Sequence, residues 1–224
     1  LRARYLLGIT HLAAGRPGDA LEVFDAPLST PSEAFLLLSV VAAAEGDDVQ
    51  AAARLAERVA GKFAGQIPAV GGTQFGAAGL LAAAQALARV GNVDQAVALA
   101  GQLPRQNLTT AQRVQLGDLH YLAGEHQAAA SLYQDVLNQP TVDADVYLAA
   151  TRNHADTMLA LRRWEDAKRA YERVLNIAPF DTVSYYHYGW ALAGLNQRDA
   201  AKEAFQTAAD RGYPPALEVL ATHF

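Results

Sequence analysis

Cysteine is absent from the 224 residues and methionine occurs once, which excludes a disulfide framework and any thiolate-ligated zinc or iron–sulfur centre. Lysine is scarce, three against fifteen arginines, and the 18 basic residues are outnumbered by 23 acidic ones. The resulting net charge of −5 is spread without a basic block. Neutralising phosphates takes a positive patch or stripe, so the composition reads against nucleic acid and against an anionic membrane surface as partners. Long apolar runs are missing too. The longest uncharged stretch, Phe63 to Ala88, is broken by Gly65, Pro68, Gly71, Gly72, Gly76 and Gly79, so no segment reads as inserting into a membrane. What is present is globular material: half the residues are hydrophobic, and alanine alone occurs 48 times. Leu1 to Ala14 already reads as helix, so the chain is expected to be a segment of a longer protein or a processed product.

The alanines and glycines are not scattered. A turn residue, an alanine five places on and a usually larger residue four places further recur as Gly15, Ala20 and Phe24, as Gly46, Ala51 and Leu55, and, in the weakest unit, as Gly91, Ala96 and Ala100. The series continues through Gly124, Ala129 and Tyr133, through Arg162, Ala167 and Tyr171, and through Asn196, Ala201 and Phe205. An apolar or small pair lies about two helical turns before each turn residue, as in Leu7-Gly8, Leu116-Gly117 and Tyr188-Gly189. The physical reading is a helical hairpin. The turn residue ends the first helix in the left-handed conformation, and the alanine lets the second helix approach closely. The large residue is expected to fill the space between neighbouring hairpins. Units that cannot bury their own faces must stack, which predicts an all-α solenoid.

These residues resemble the tetratricopeptide repeat family, a 34-residue helix–turn–helix with Leu-Gly, aromatic, Ala, Phe and Pro at fixed places. Ala167 to Ala201 and Tyr171 to Phe205 both span 34 residues, and Pro179 falls where the family closes its repeat. The resemblance covers essentially the whole chain, 1–224, as one superhelical domain. It implies about six hairpins, at about 1–28, 31–61, 73–103, 108–139, 143–178 and 181–211, followed by a capping helix at 214–223. Ala51 to Ala96 is 45 residues, so a Gly-rich insertion is expected at 61–76, its first half a loop.

No pattern for catalysis survives inspection. Gly61-Lys62 is followed by Phe63, where a phosphate-binding loop needs Ser or Thr. His120 and His126 stand six apart across a turn, the wrong spacing for two ligands on one helix face. His154 replaces the core leucine of the family and reads as a buried, hydrogen-bonded imidazole. Asp118 and Asp156 more readily attract a basic ligand than perform acid–base chemistry. The chain is therefore read as a non-enzyme with no cofactor and no metal.

In the family, certain places on the first helix of each hairpin look into a concave groove. Carried over by the resemblance, the groove floor begins with Tyr5, Ile9, Leu12, Glu33, Leu36 and Val40, and continues with Ala43, Leu81, Gln85 and Val114. Its second half holds the candidate partner-binding residues: Asp118, Tyr121, Arg152, Asn153, Asp156, Tyr186, His187 and Trp190. Exposed Trp, Tyr and Arg are what binding hot spots are built from. The family's clamp for a C-terminal carboxylate is disfavoured, because Asp118 and Asp156 occupy places where it carries Asn. The resemblance thus implies a non-catalytic scaffold or adaptor that binds a protein or peptide segment, one of mixed apolar and basic character. The alternative is a structural spacer or self-associating arm of a larger bacterial envelope or exopolysaccharide-secretion assembly. Localisation reads as bacterial periplasm or envelope, with cytoplasm the alternative.

Overall fold

The computed structural model describes residues 2–25, 33–46, 48–62, 76–101 and 103–224. These form thirteen α-helices and one 3₁₀ turn, and the described residues contain no strand. The helices are α1 (Arg2–Ala13), α2 (Pro17–Asp25), α3 (Glu33–Glu45), α4 (Val49–Lys62), α5 (Gly76–Arg89), α6 (Val93–Ala100) and α7 (Thr110–Leu122). They continue as α8 (His126–Leu137), α9 (Ala144–Ala160), α10 (Trp164–Ile177), α11 (Thr182–Gly194), α12 (Arg198–Asp210) and α13 (Pro214–His223). Most of the Gly-rich insertion lies outside the described residues.

The chain divides into two compact units, Leu1–Ala123 and Gly124–Phe224. In the first, α1 packs on α2, α2 on α3, α3 on α4, and α5 on α3, α4, α6 and α7. In the second, each helix from α8 to α13 packs on the next, and α9 also touches α11. Sequential packing of this kind is what stacked hairpins produce, and the fold is an all-α one of solenoid type.

Local chemistry fixes the helix ends. Gly15, Gly91, Gly124 and Gly212 adopt positive φ, and so do Arg162 at 57° and Asn196 at 59°. After five of these, a backbone N–H reaches back to the carbonyl five residues earlier: Arg16 to His11, Asn92 to Leu87, Arg163 to Met158, Gln197 to Leu192 and Tyr213 to Ala208. This is the closure that satisfies the last carbonyls of a helix. Gly46 departs from the expectation. It lies outside the left-handed region, and the equivalent bond comes one place later than the sequence spacing implies, from Asp48 N–H to the Ala43 carbonyl. The Asp48 side chain then accepts from Ala51 N–H and caps α4. At the start of α7, Thr109 and Gln112 form a reciprocal capping box. Asp143 caps α9, and Asp181 caps α11.

The small residue of the first helix and the large residue of the second prove to be direct partners. The rings of Phe24 and Phe205 lie on the faces of Gly8 and Gly189, each pair sixteen residues apart within one hairpin. The large residue therefore seats against its own hairpin and against the neighbour as well, Tyr171 clustering with Ala155 of α9 and with Ala191 of α11. Phe205 shows this, with Phe224 of the terminal segment 5.9 Å away. Between hairpins the same device recurs, with the Trp164 ring of α10 lying on Gly194 of α11. A glycine at such a contact lets a whole aromatic face bury, and Phe24 and Phe205 are both buried.

Candidate functional site

The second unit brings six of the eight candidate residues onto two touching helices, Arg152, Asn153 and Asp156 on α9 and Tyr186, His187 and Trp190 on α11. All six are half-buried. Asp118 and Tyr121, also half-buried, stand on α7 in the first unit. Of the apolar floor expected in the first half, the side chains of Tyr5, Ile9, Glu33 and Leu36 fall outside the described residues. Val40, Ala43 and Leu81 are fully buried and so belong to the core.

Arg152 does not stand free. Its Nε and Nη2 both donate to Asp181 Oδ2, at 2.8 and 2.6 Å. Asp181 Oδ1 meanwhile accepts from the backbone N–H of Ser184, and Oδ2 also accepts from the Ser184 hydroxyl. Burial by itself raises the pKa of the Asp181 carboxyl. The hydrogen bonds from Ser184 and Arg152, with the Arg152 charge, outweigh it and hold the group below the usual carboxylate range. One carboxylate thus caps α11 and ties α9 to it.

Asp156 is the second junction. Its Oδ1 accepts from the hydroxyl of Tyr171 on α10 and lies 2.9 Å from His187 Nδ1 on α11. Both contacts use Oδ1, so Oδ2 keeps its acceptor capacity and the side chain is half-buried with one oxygen to spare. The Tyr171 and His187 rings lie 6.1 Å apart. The Tyr171 and Asp181 contributions were not legible as site features, since their contacts span 15 and 29 residues on different helices.

Tyr186 and Trp190 divide their rings between surface and core. Tyr186 packs against His187, Trp190, Phe205 and Tyr213, with centroids 5.1 to 6.2 Å apart. Trp190 stands edge-on to Phe205 at 5.4 Å and to His223 at 5.9 Å. These rings anchor α13 as well as presenting an edge outward. Nearby, Tyr188 donates to Glu172, and burial followed by the Glu172 charge pushes its phenol up to about 12.

His154 faces the other way, into the core between α9 and α10. It is buried, and its Nδ1 has no hydrogen-bond partner, which corrects the expectation of a hydrogen-bonded imidazole. Burial, then the charges of Arg173 and Arg163, hold its pKa below 6.5, with Asp166 opposing. Among the described residues no group of three or more His, Cys, Asp or Glu is placed to hold a metal ion. No helix of the described residues is long and apolar enough to cross a membrane.

Comparisons with known proteins agree with the fold. Residues 81–145 and 183–211 match the family described as tetratricopeptide repeat. No curated protein matches the chain. Among solved structures, a MamA protein superposes with a TM-score of 0.61 at 17% identity, covering 86% of this chain and 96% of its own. MamA from Desulfovibrio magneticus RS-1 is 24% identical with a TM-score of 0.51, covering 58% of this chain and 71% of its own. The nearly identical TPR-like repeats of a Podosopora anserina chain of the kinesin light chain kind give 0.62 at 19% identity, covering 79% and 92%. Repeats of this kind are generally surfaces for protein–protein interaction, and their fold is typically non-catalytic. The chain carries tetratricopeptide repeats, matched over residues 81–145 and 183–211 and seen as successive helical hairpins in each unit.

Proposed function

We propose that the chain is a non-catalytic scaffold that holds a partner protein segment on the first-helix faces of its hairpins, with the strip on α9 and α11 as its anchor. The observation that carries this reading is the strip's locked geometry. Arg152 is fixed by Asp181 and His187 is placed against Asp156, so the half-buried side chains around Asn153 are ordered before any partner arrives. Preorganised side chains lose little entropy on binding, and that is where affinity is gained.

The chemistry of the strip suits a segment of mixed apolar and basic character. Arg152 is already neutralised within the fold, whereas Asp156 Oδ2 is left to accept from a lysine or arginine of the segment. The edges of Tyr186 and Trp190 provide the apolar contact. A photo-crosslinking residue at position 153 tests the reading against the same residue at the exposed positions 169 and 202. A partner captured from 153 alone supports it; capture only from 169 or 202, or only of further copies of this chain, contradicts it and favours a spacer or self-associating arm.

A further inference from the structure

Outside the strip, half of the large apolar side chains that stand exposed among the described residues gather at one junction, between α10 and α11. Ile177, Phe180 and Val183 follow one another at intervals of three, and Phe180 is 82% exposed. The helices that come after it, α11, α12 and α13, pack each on the next and leave it out. Arg211, which follows α12, is fixed over this junction. Its Nη1 donates to the Pro179 carbonyl at 2.6 Å, and its Cζ lies 5.5 Å from the centre of the Phe180 ring and 4.6 Å from that of Tyr185. One turn before Ile177, α10 exposes a second arginine, Arg173. Among the described residues no carboxylate pairs with either arginine. Of the acids close by in the chain, Glu172 is matched by Lys168 and Asp181 by Arg152, and Asp210 accepts from the Gln206 amide one turn back along α12.

We propose that this junction is a second docking surface, and that its occupant is an acidic amphipathic segment of a partner protein, which sets an apolar side chain against Phe180 and Ile177 and carboxylates on Arg211 and Arg173. The inference goes beyond the scaffold reading and does not depend on the strip. Charge complementarity names the occupant: in a chain of net charge −5, the acids at this junction are engaged and its two arginines are not. Arg211 rests on two rings and is held by a carbonyl, so its remaining N–H groups are set in place for a carboxylate before the segment arrives. Little side-chain freedom is then lost on binding. A lone exposed apolar side chain is ordinary, but three at one place beside unpaired cations mark an interaction site. Arginine and tyrosine are also the residues on which binding energy concentrates. The strip offers Asp156 to a basic segment and the junction offers arginines to an acidic one, so each surface selects against the ligand of the other.

The test is a titration of the isotope-labelled chain with three helical peptides, each acetylated and amidated at its ends. The first carries leucine and phenylalanine along one face among glutamates, the second has lysine for every glutamate, and the third has serine for every apolar residue. The expected result is saturable shifts at the amides of Ile177, Phe180 and Arg211 with the first peptide, weakening as salt is raised. The second and third should bind there at least tenfold more weakly. Phe180→Ser should weaken the first peptide about tenfold, and Arg173→Gln and Arg211→Gln should each weaken it and flatten its salt dependence. These side chains are exposed, and circular dichroism confirms that each variant keeps its helices. The absence of saturable shifts at the junction, equal affinity there for the glutamate and lysine peptides, or binding untouched by Phe180→Ser overturns the inference. Two other occupants also overturn it: shifts of the same amides with protein concentration alone assign the face to a second copy, and binding to phosphatidylglycerol vesicles that Phe180→Ser abolishes assigns it to a lipid surface. Crosslinking from position 153 reads the scaffold proposal separately, and it persists if only the junction inference fails.

Discussion

The ring of Phe205 lies across Gly189, its nearest carbon 2.7 Å from where a Cβ on that glycine would stand. The two residues belong to the two helices of one hairpin, and Phe24 and Gly8 repeat the relationship in the first hairpin. The repeat is therefore a packing rule that links one small and one large residue, sixteen places apart.

Gly189→Ala should cost about 2–3 kcal/mol, because a fully buried ring must shift to admit the methyl group. Gly15→Ala serves as its contrast. Nothing stands within 4 Å of a Cβ there, but φ is +66°, so the cost should be about 1 kcal/mol and arise from the backbone alone. Urea midpoints of the two variants check this, and equal losses would refute the distinction.

Arg162 and Asn196 occupy corresponding turns in the left-handed region. Asn adopts that conformation at less cost than Arg, so Arg162→Gly should stabilise by about 1 kcal/mol while Asn196→Gly changes little. Thermal unfolding of the two variants reads the difference directly.

The depressed pKa of His154 makes stability depend on pH with a definite sign. Below 6.5 the unfolded chain binds a proton at this residue that the folded chain resists. Its contribution is complete above 6.5 and falls as pH drops below that value. His154→Leu should remove this slope, so the stability difference between variant and parent should widen in the variant's favour from pH 7 to pH 5. A difference independent of pH would show that His154 is protonated equally in both states.

Asp181 joins a cap to an ion pair, so Asp181→Ala should cost about 2–3 kcal/mol near pH 7. The carboxyl's pKa is lowered in the fold, so this stabilisation is present above the ordinary carboxylate value of 3.8 and disappears as pH falls through the lower folded value. Chemical denaturation of parent and variant at pH 7 and at strongly acidic pH measures the convergence.

How far the sequence revealed these features follows from the range of each interaction. The turns at Gly15, Gly91, Gly124 and Asn196 were legible because one residue's backbone preference and a local spacing define them, and that at Arg162 from the spacing alone. Gly46 misled, since a one-place slip in the helix end leaves the spacing unchanged while moving the closing bond to Asp48. The strip on α9 and α11 was legible as positions. Its internal pairing was not, because Arg152 with Asp181 and Asp156 with His187 join residues 29 and 31 apart, and nothing in either local sequence names its partner. Tyr186 and Trp190 show the same ambiguity in another form. Periodicity put them on one helix face, and only the packing shows that this face is shared between surface and the Phe205 cluster.

That sharing decides how the central claim is best tested. Truncating Tyr186 or Trp190 would loosen α13 along with any binding surface, so the direct measurement is position-resolved photo-crosslinking in the chain's native extract. The account predicts a protein partner captured from position 153 and not from 169 or 202, identified by mass spectrometry. Equal capture from all three positions, or capture only from 169 and 202, would contradict it.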